Sequence, residues 1–146
     1  MSAIPTDAVV TAWVRLIRAQ RLALQAVEGE LKAAGLPPLG WYDALLELDR
    51  SETAALRPHE LEARLLLAQH NVSRLVDRLE AAGLVGRSPC DGDGRGQMVT
   101  ITQAGTNLLR RMWPVYRASI QKHVGEKLGD DAEAQSLADL LGKLSR

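Results

Sequence analysis

The sequence predicts a mainly α protein that carries one small β-hairpin, and three observations support that class. Apolar residues recur at helical spacing over most of the chain. The period changes once, near residues 84–102, to strand-like alternation. That interval is interrupted by a glycine-rich tip, Pro89-Cys90-Asp91-Gly92-Asp93-Gly94-Arg95-Gly96. At 146 residues, with 46% hydrophobic and 25% charged residues, the chain is about one domain's worth of globular sequence, which excludes a long multi-domain enzyme.

Each element follows from local chemistry. Val9, Val10, Trp13, Leu16, Ile17, Leu24, Val27 and Leu31 predict a helix over 7–34, with Thr6 and Asp7 as its start signal and Gly35, Pro37 and Pro38 as its stop. A second helix spans about 38–50. There Trp41, Ala44, Leu45 and Leu48 fall at i, i+3, i+4 and i+7, which turns Trp41 inward and leaves Tyr42 to the side. Pro58 suits a first helical turn, so a short helix with Leu61 and Leu65 follows. A tight connection at Leu66–Ala68 leads to a helix at about 69–82, ended by Gly83. Strands are expected at Leu84–Ser88 and Gln97–Thr102. Thr102 caps a long helix to about Leu128, lined by Leu109, Trp113, Tyr116, Ile120 and Val124 and kinked locally at Pro114. Asp130 with Glu133 starts a last helix bearing Leu137, Leu140, Leu141 and Leu144.

Charge and aromatic residues divide the chain. Net charge is zero, which argues against a simple basic DNA-coating protein. Within 57–102 six arginines (Arg57, Arg64, Arg74, Arg78, Arg87, Arg95) meet six acids (Glu60, Glu62, Asp77, Glu80, Asp91, Asp93), so contact with a polyanion depends on where the arginines point. All five large rings, Trp13, Trp41, Tyr42, Trp113 and Tyr116, lie outside that segment. The expected division is therefore an outer helical region, 1–35 with 103–146, around a middle module, 36–102. Leucines at four positions over two turns of the last helix are more than one neighbour needs, which favours burial between two chains.

On the 69–82 helix Val72, Leu75, Val76 and Leu79 form a narrow core stripe. The opposite side offers His70, Ser73, Arg74 and Asp77, flanked by Asn71 and Arg78. Arginine pairs with guanine, asparagine with adenine, and serine or histidine with bases or phosphates. Asp77 is expected to hold Arg74 or Arg78, or to stand away from the DNA backbone. Arg95, among glycines, is placed to enter a narrow minor groove. Arg87 takes a phosphate or pairs with an acid, and both readings stay open.

The run Leu56-Arg57-Pro58-His59-Glu60-Leu61, the stretch Val72–Val85, then Asp93-Gly94-Arg95 and Ile101-Thr102-Gln103-Ala104-Gly105 resemble the MarR family of bacterial transcriptional regulators. The resemblance is close over about 36–110 and one of layout elsewhere. It implies a winged helix–turn–helix module flanked by N- and C-terminal dimerisation helices. It also implies a homodimer on a pseudo-palindromic double-stranded DNA operator, with recognition helices about 34–36 Å apart, and a repressor released by a small ligand. The family's effectors, often aromatic or phenolic acids, make Trp13, Trp41, Trp113 and Tyr116 candidate cleft walls and Arg15 or Arg18 candidate carboxylate partners. Core packing is the competing reading for each ring.

Other chemistry is not expected. His59, His70 and His123 lack metal-ligand spacing, and Asp91-Gly92-Asp93-Gly94 places Arg95 where a calcium loop needs its third ligand. Neither a phosphate loop nor a nucleophile elbow occurs, so no enzyme and no cofactor is predicted. Two alternatives stay open: a dimeric protein-interaction adaptor that uses the winged module, and a redox-responsive regulator acting through Cys90. The absence of a long apolar run, the position of Arg15 as first positive charge, and the single cysteine together predict a cytoplasmic protein without membrane attachment.

Overall fold

The computed structural model describes residues 3–89 and 96–146. The chain divides into two compact units, one built from residues up to Glu30 together with Tyr116–Arg146, the other from Leu31–Val115. The element order is α1 (Asp7–Ala33), α2 (Leu39–Arg50), β1 (Ala55–Leu56), α3 (Pro58–Arg64), α4 (Val72–Ala81), β2 (Val85–Pro89), β3 (Gln97–Ile101) and α5 (Gln103–Ile120). A π-helical turn (Gln121–Gly125), α6 (Glu126–Leu128) and α7 (Asp131–Leu144) complete the chain. The mainly α class with a small antiparallel sheet is as expected. The two-residue strand β1 was not expected, because so short a strand carries no alternation to detect.

In the 31–115 unit the sheet order is β1-β3-β2. β3 pairs antiparallel with both neighbours, Leu56 opposite Val99 on one side and Arg87 opposite Val99 on the other. Leu45, Leu48, Leu61, Leu79, Val99 and Met112 are fully buried and form the centre of this core. Each such side chain contributes roughly 1.5–3 kcal/mol relative to exposure. α2 touches α3, β1 and β3, so it buries a broad arc rather than a stripe. That breadth reverses one expectation: Tyr42 is buried, while Trp41 is only half-buried.

The arc includes a charge. Asp43 is 5% exposed, and its two carboxylate oxygens accept the backbone N–H groups of Leu66 (3.0 Å) and Leu67 (2.8 Å). Those donors belong to the connection between α3 and α4, which has no ladder of its own to satisfy them. Asp43 therefore sets the angle at which the chain leaves α3 and enters α4. Start and stop chemistry completes the pair: the Glu60 carboxylate accepts the Arg57 N–H at 2.9 Å ahead of Pro58. After α4, Gly83 takes φ 76°, a left-handed conformation suited to glycine, and Leu84 donates back to Leu79 O at 2.9 Å.

Thr102 starts α5 as expected, accepting from Gly105 N at 3.2 Å. A Cβ on Gly105 would run into the Leu84 carbonyl and the Ile101 side chain. This close approach decides which side of α5 faces the sheet. Gly105, Leu108, Leu109 and Met112 are buried, whereas Trp113 is 41% and Ile120 37% exposed, so the expected Trp113 stripe is displaced by about one position. Trp113 instead stacks on Tyr42, with ring centroids 6.3 Å apart and 18° between planes. The helix continues through Pro114 to Ile120, and π-helical winding follows at Gln121–Gly125.

In the other unit the Glu30 carboxylate accepts from the buried Ser119 hydroxyl (2.6 Å) and from Lys122 Nζ (3.0 Å), with His123 Nε2 at 3.5 Å. The Ser119 hydrogen bond first, then Lys122, holds the Glu30 carboxyl down at about 2, and Glu30 in turn raises Lys122. The apolar stripe read from α1 divides along its length: Val9, Val10, Trp13 and Ile17 face solvent, Leu16 and Leu24 are half-buried, and Val27 and Leu31 are buried. α7 begins with Asp130, which accepts Glu133 N at 2.9 Å, and buries none of its residues.

Two outcomes are expected. Asp43→Ala leaves two backbone donors unpartnered and should lower stability by about 3 kcal/mol, read from the urea midpoint; Asp43→Asn, which keeps one acceptor, should lose less. Glu30 has its pKa depressed on folding, so its stabilisation is complete above the ordinary carboxyl value of 4.5 and is lost as pH falls toward about 2. The urea midpoint of the wild type should therefore fall more steeply than that of Glu30→Gln across that window.

Candidate nucleic-acid interface

α4 forms because its apolar and polar sides separate cleanly. Val72, Leu75, Val76 and Leu79 are buried, and Ser73, Arg74, Asp77 and Arg78 are exposed on the other side. The helix begins at Val72, not near residue 69, since the cap that starts it is Asn71. In extended conformation (φ −149°, ψ 98°), Asn71 accepts the Arg74 N–H on Oδ1 at 3.0 Å. His70 thus precedes the helix and is exposed. Asn71 Oδ1, predicted to read a base, is engaged by its own helix.

Two of the arginines are left outward. Among the described residues Arg74 and Arg78 form no ion pair, and both are exposed. Arg87 differs. From β2 its Nη2 donates to Asp77 Oδ1 at 2.6 Å, and its Nε lies 3.8 Å from Glu80 Oε1. Of the two readings open for Arg87, the structure has the acid-paired one, and the partner expected for Asp77 changes from Arg74 or Arg78 to Arg87. A residue on the next strand was beyond the reach of helical spacing. Arg95 and Cys90 lie outside the described residues.

The six candidate effector residues are divided between the two units. Trp13 and Arg18 line a hollow of about 300 Å³ with Val14, Ile17 and Arg21, and Arg15 is exposed outside that lining. Tyr116, half-buried, belongs to the same unit. Trp41 and Trp113 belong to the other unit, where Trp113 is occupied with Tyr42. Among the described residues no group of three His, Cys, Asp or Glu side chains could hold a metal ion, and no helix is long and apolar enough to cross a membrane. Sequence reasoning missed Asp43. Its signal was a carboxylate inside the apolar arc of α2, but the partners 23 and 24 residues onward carry no sequence mark.

The geometry is that of a helix–turn–helix with an adjoining hairpin, and residues 34–96 match the sequence model of the MarR family. The chain carries a MarR-family module. It is 32% identical over 84 residues to the transcriptional repressor MprA of Escherichia coli K12, covering 58% of this chain and 47% of that protein. It is 31% identical over 102 residues to the transcriptional activatory protein BadR of Rhodopseudomonas palustris, covering 68% of this chain and 55% of BadR. The chain thus spans about half the length of these curated relatives. Among solved structures, the MarR family regulator Sco3205 of Streptomyces coelicolor, crystallised with DNA, is similar with a TM-score of 0.86 and 26% identity, over 99% of this chain and 90% of that one.

Capping gives this site a direct check. Asn71→Ala should cost about 1 kcal/mol of stability through the lost cap, whereas Asn71→Asp should keep it, as measured by thermal unfolding.

Proposed function

We propose that this chain is a homodimeric, sequence-specific DNA-binding transcriptional regulator. The observation that carries the reading is the outward face of α4. Two arginines without acidic partners among the described residues, beside Ser73 and next to exposed His70, stand on a helix fixed by buried Val72, Leu75, Val76 and Leu79. Arginine in a major groove donates two hydrogen bonds to guanine O6 and N7, and serine or histidine serves bases or phosphates. We assign base reading to Arg74 and Ser73, and backbone positioning to His70 and Arg78. Arg95 is assigned to the minor groove by its place in the sequence. Binding over a promoter blocks transcription, so repression is the reading adopted; MprA is named a repressor and BadR an activator.

Dimerisation is supported by apolar surface that a single chain leaves in water. Trp13 is 62%, Leu140 59% and Leu144 68% exposed, all within the unit made of the chain's two ends. Exposure on that scale marks an interaction surface, and a twofold pair would present two α4 helices to successive major grooves. Effector binding is assigned to the hollow beside Trp13 and Arg18, where an indole face and a guanidinium suit an aromatic acid. Such a ligand releases DNA only by binding more tightly to a dimer whose α4 spacing does not fit.

With a duplex selected from a random pool, Arg74→Ala should cost about 1–3 kcal/mol of specific binding and relax selectivity at one position. Unchanged affinity in fluorescence anisotropy removes that assignment. Light scattering at micromolar concentration should return twice the chain mass; a clean monomer contradicts the dimer. Titration with 4-hydroxybenzoate should quench tryptophan fluorescence in the wild type and much less in Trp13→Phe.

A further inference from the structure

Arg87 is the least exposed of the three charged side chains that meet between β2 and α4: 27%, against 62% for Asp77 and 46% for Glu80. Its guanidinium is turned toward two carboxylates of α4, one turn apart on the same helix, rather than outward. Asp77 stands three residues after Arg74 and four after Ser73, so it shares the exposed face assigned to base reading. An uncompensated carboxylate there would repel a phosphate backbone across less than a Debye length of about 8–10 Å. Two such carboxylates on the reading helix would work against the helix's own arginines. From the strand, Arg87 supplies one cation to both.

We propose that Arg87 is a positioning residue for DNA, acting through Asp77 and Glu80 rather than by holding a phosphate. It has two consequences. Arg87 neutralises the acidic side of α4, and it ties β2 to α4 so that hairpin and reading helix approach DNA as one body. The 2.6 Å contact to Asp77 is a charge-assisted hydrogen bond with direction, and therefore fixes orientation as well as charge. The inference rests on the DNA-binding reading above.

The test is a charge cycle read by anisotropy on the duplex selected by the wild type, at several salt concentrations. Arg87→Met keeps the aliphatic stem and removes the cation. It should weaken binding about tenfold while the slope of log affinity against log salt stays that of the wild type, because no phosphate contact has been lost. The triple variant Arg87→Met, Asp77→Asn, Glu80→Gln should return to within about threefold of wild type. Arg87→Lys, which keeps the charge, should lie between the single variant and the wild type. Urea unfolding of each protein separates a folding defect from a binding defect. A triple variant as weak as Arg87→Met, with a slope reduced by about one, overturns the proposal in favour of a direct phosphate contact. Wild-type affinity in Arg87→Met also overturns it. A wild-type protein that binds no selected duplex even at low salt instead removes the DNA reading itself.

Discussion

The carboxylate of Asp43 is the constraint on which the candidate interface depends. A helix–turn–helix needs two short helices at a set angle, and the connection between them exposes backbone donors that neither helix can use. In this protein the donors of Leu66 and Leu67 converge on the two oxygens of one buried carboxylate, supplied by a different helix. The clamp joins α2 to the turn, so the direction of α4 is inherited from the core rather than from the connection alone. A charged acceptor is stronger than a neutral one and, once buried, hard to leave unpaired, which gives the turn a single arrangement.

Around that clamp three acids of residues 57–102 have specific employment. Glu60 closes the start of α3 on Arg57 N, and Asp77 with Glu80 receives Arg87. A neutral sum over the segment therefore does not mean a neutral surface. Glu60 is spent on backbone and Asp77 with Glu80 on one strand arginine, leaving Arg74 and Arg78 as outward cations on α4. Distribution, not total, decides whether such a module meets a polyanion.

The two units differ in how completely they satisfy themselves. The 31–115 unit encloses most of its large aliphatic residues, with Leu45, Leu48, Leu61 and Leu79 at zero exposure and Leu66 left in solvent. The unit made from the two ends has an ordered polar centre, Glu30 with Ser119 and Lys122, yet leaves the leucines of α7 and much of α1 in solvent. The proposed homodimer would account for that contrast, since a second copy would cover the exposed helical surface.

Helix content, the hairpin, the stripe Val72, Leu75, Val76 and Leu79, and the caps at Thr102 and Asp130 were legible in the sequence. Each depends on residues within one or two turns of one another, and local periodicity and capping chemistry report such distances directly. The partner of Asp77, the role of Asp43, the burial of Tyr42 instead of Trp41, and the inward face of α5 were not legible. All four are decided by groups brought together from distant parts of the chain: a strand arginine ten residues away, backbone donors 23 and 24 residues away, a broad arc packed on three elements, and the approach of Gly105 to the Leu84 carbonyl. Spacing along a helix fixes which side chains share a face, but only the packed neighbours determine which face is inside and which charges remain free to bind.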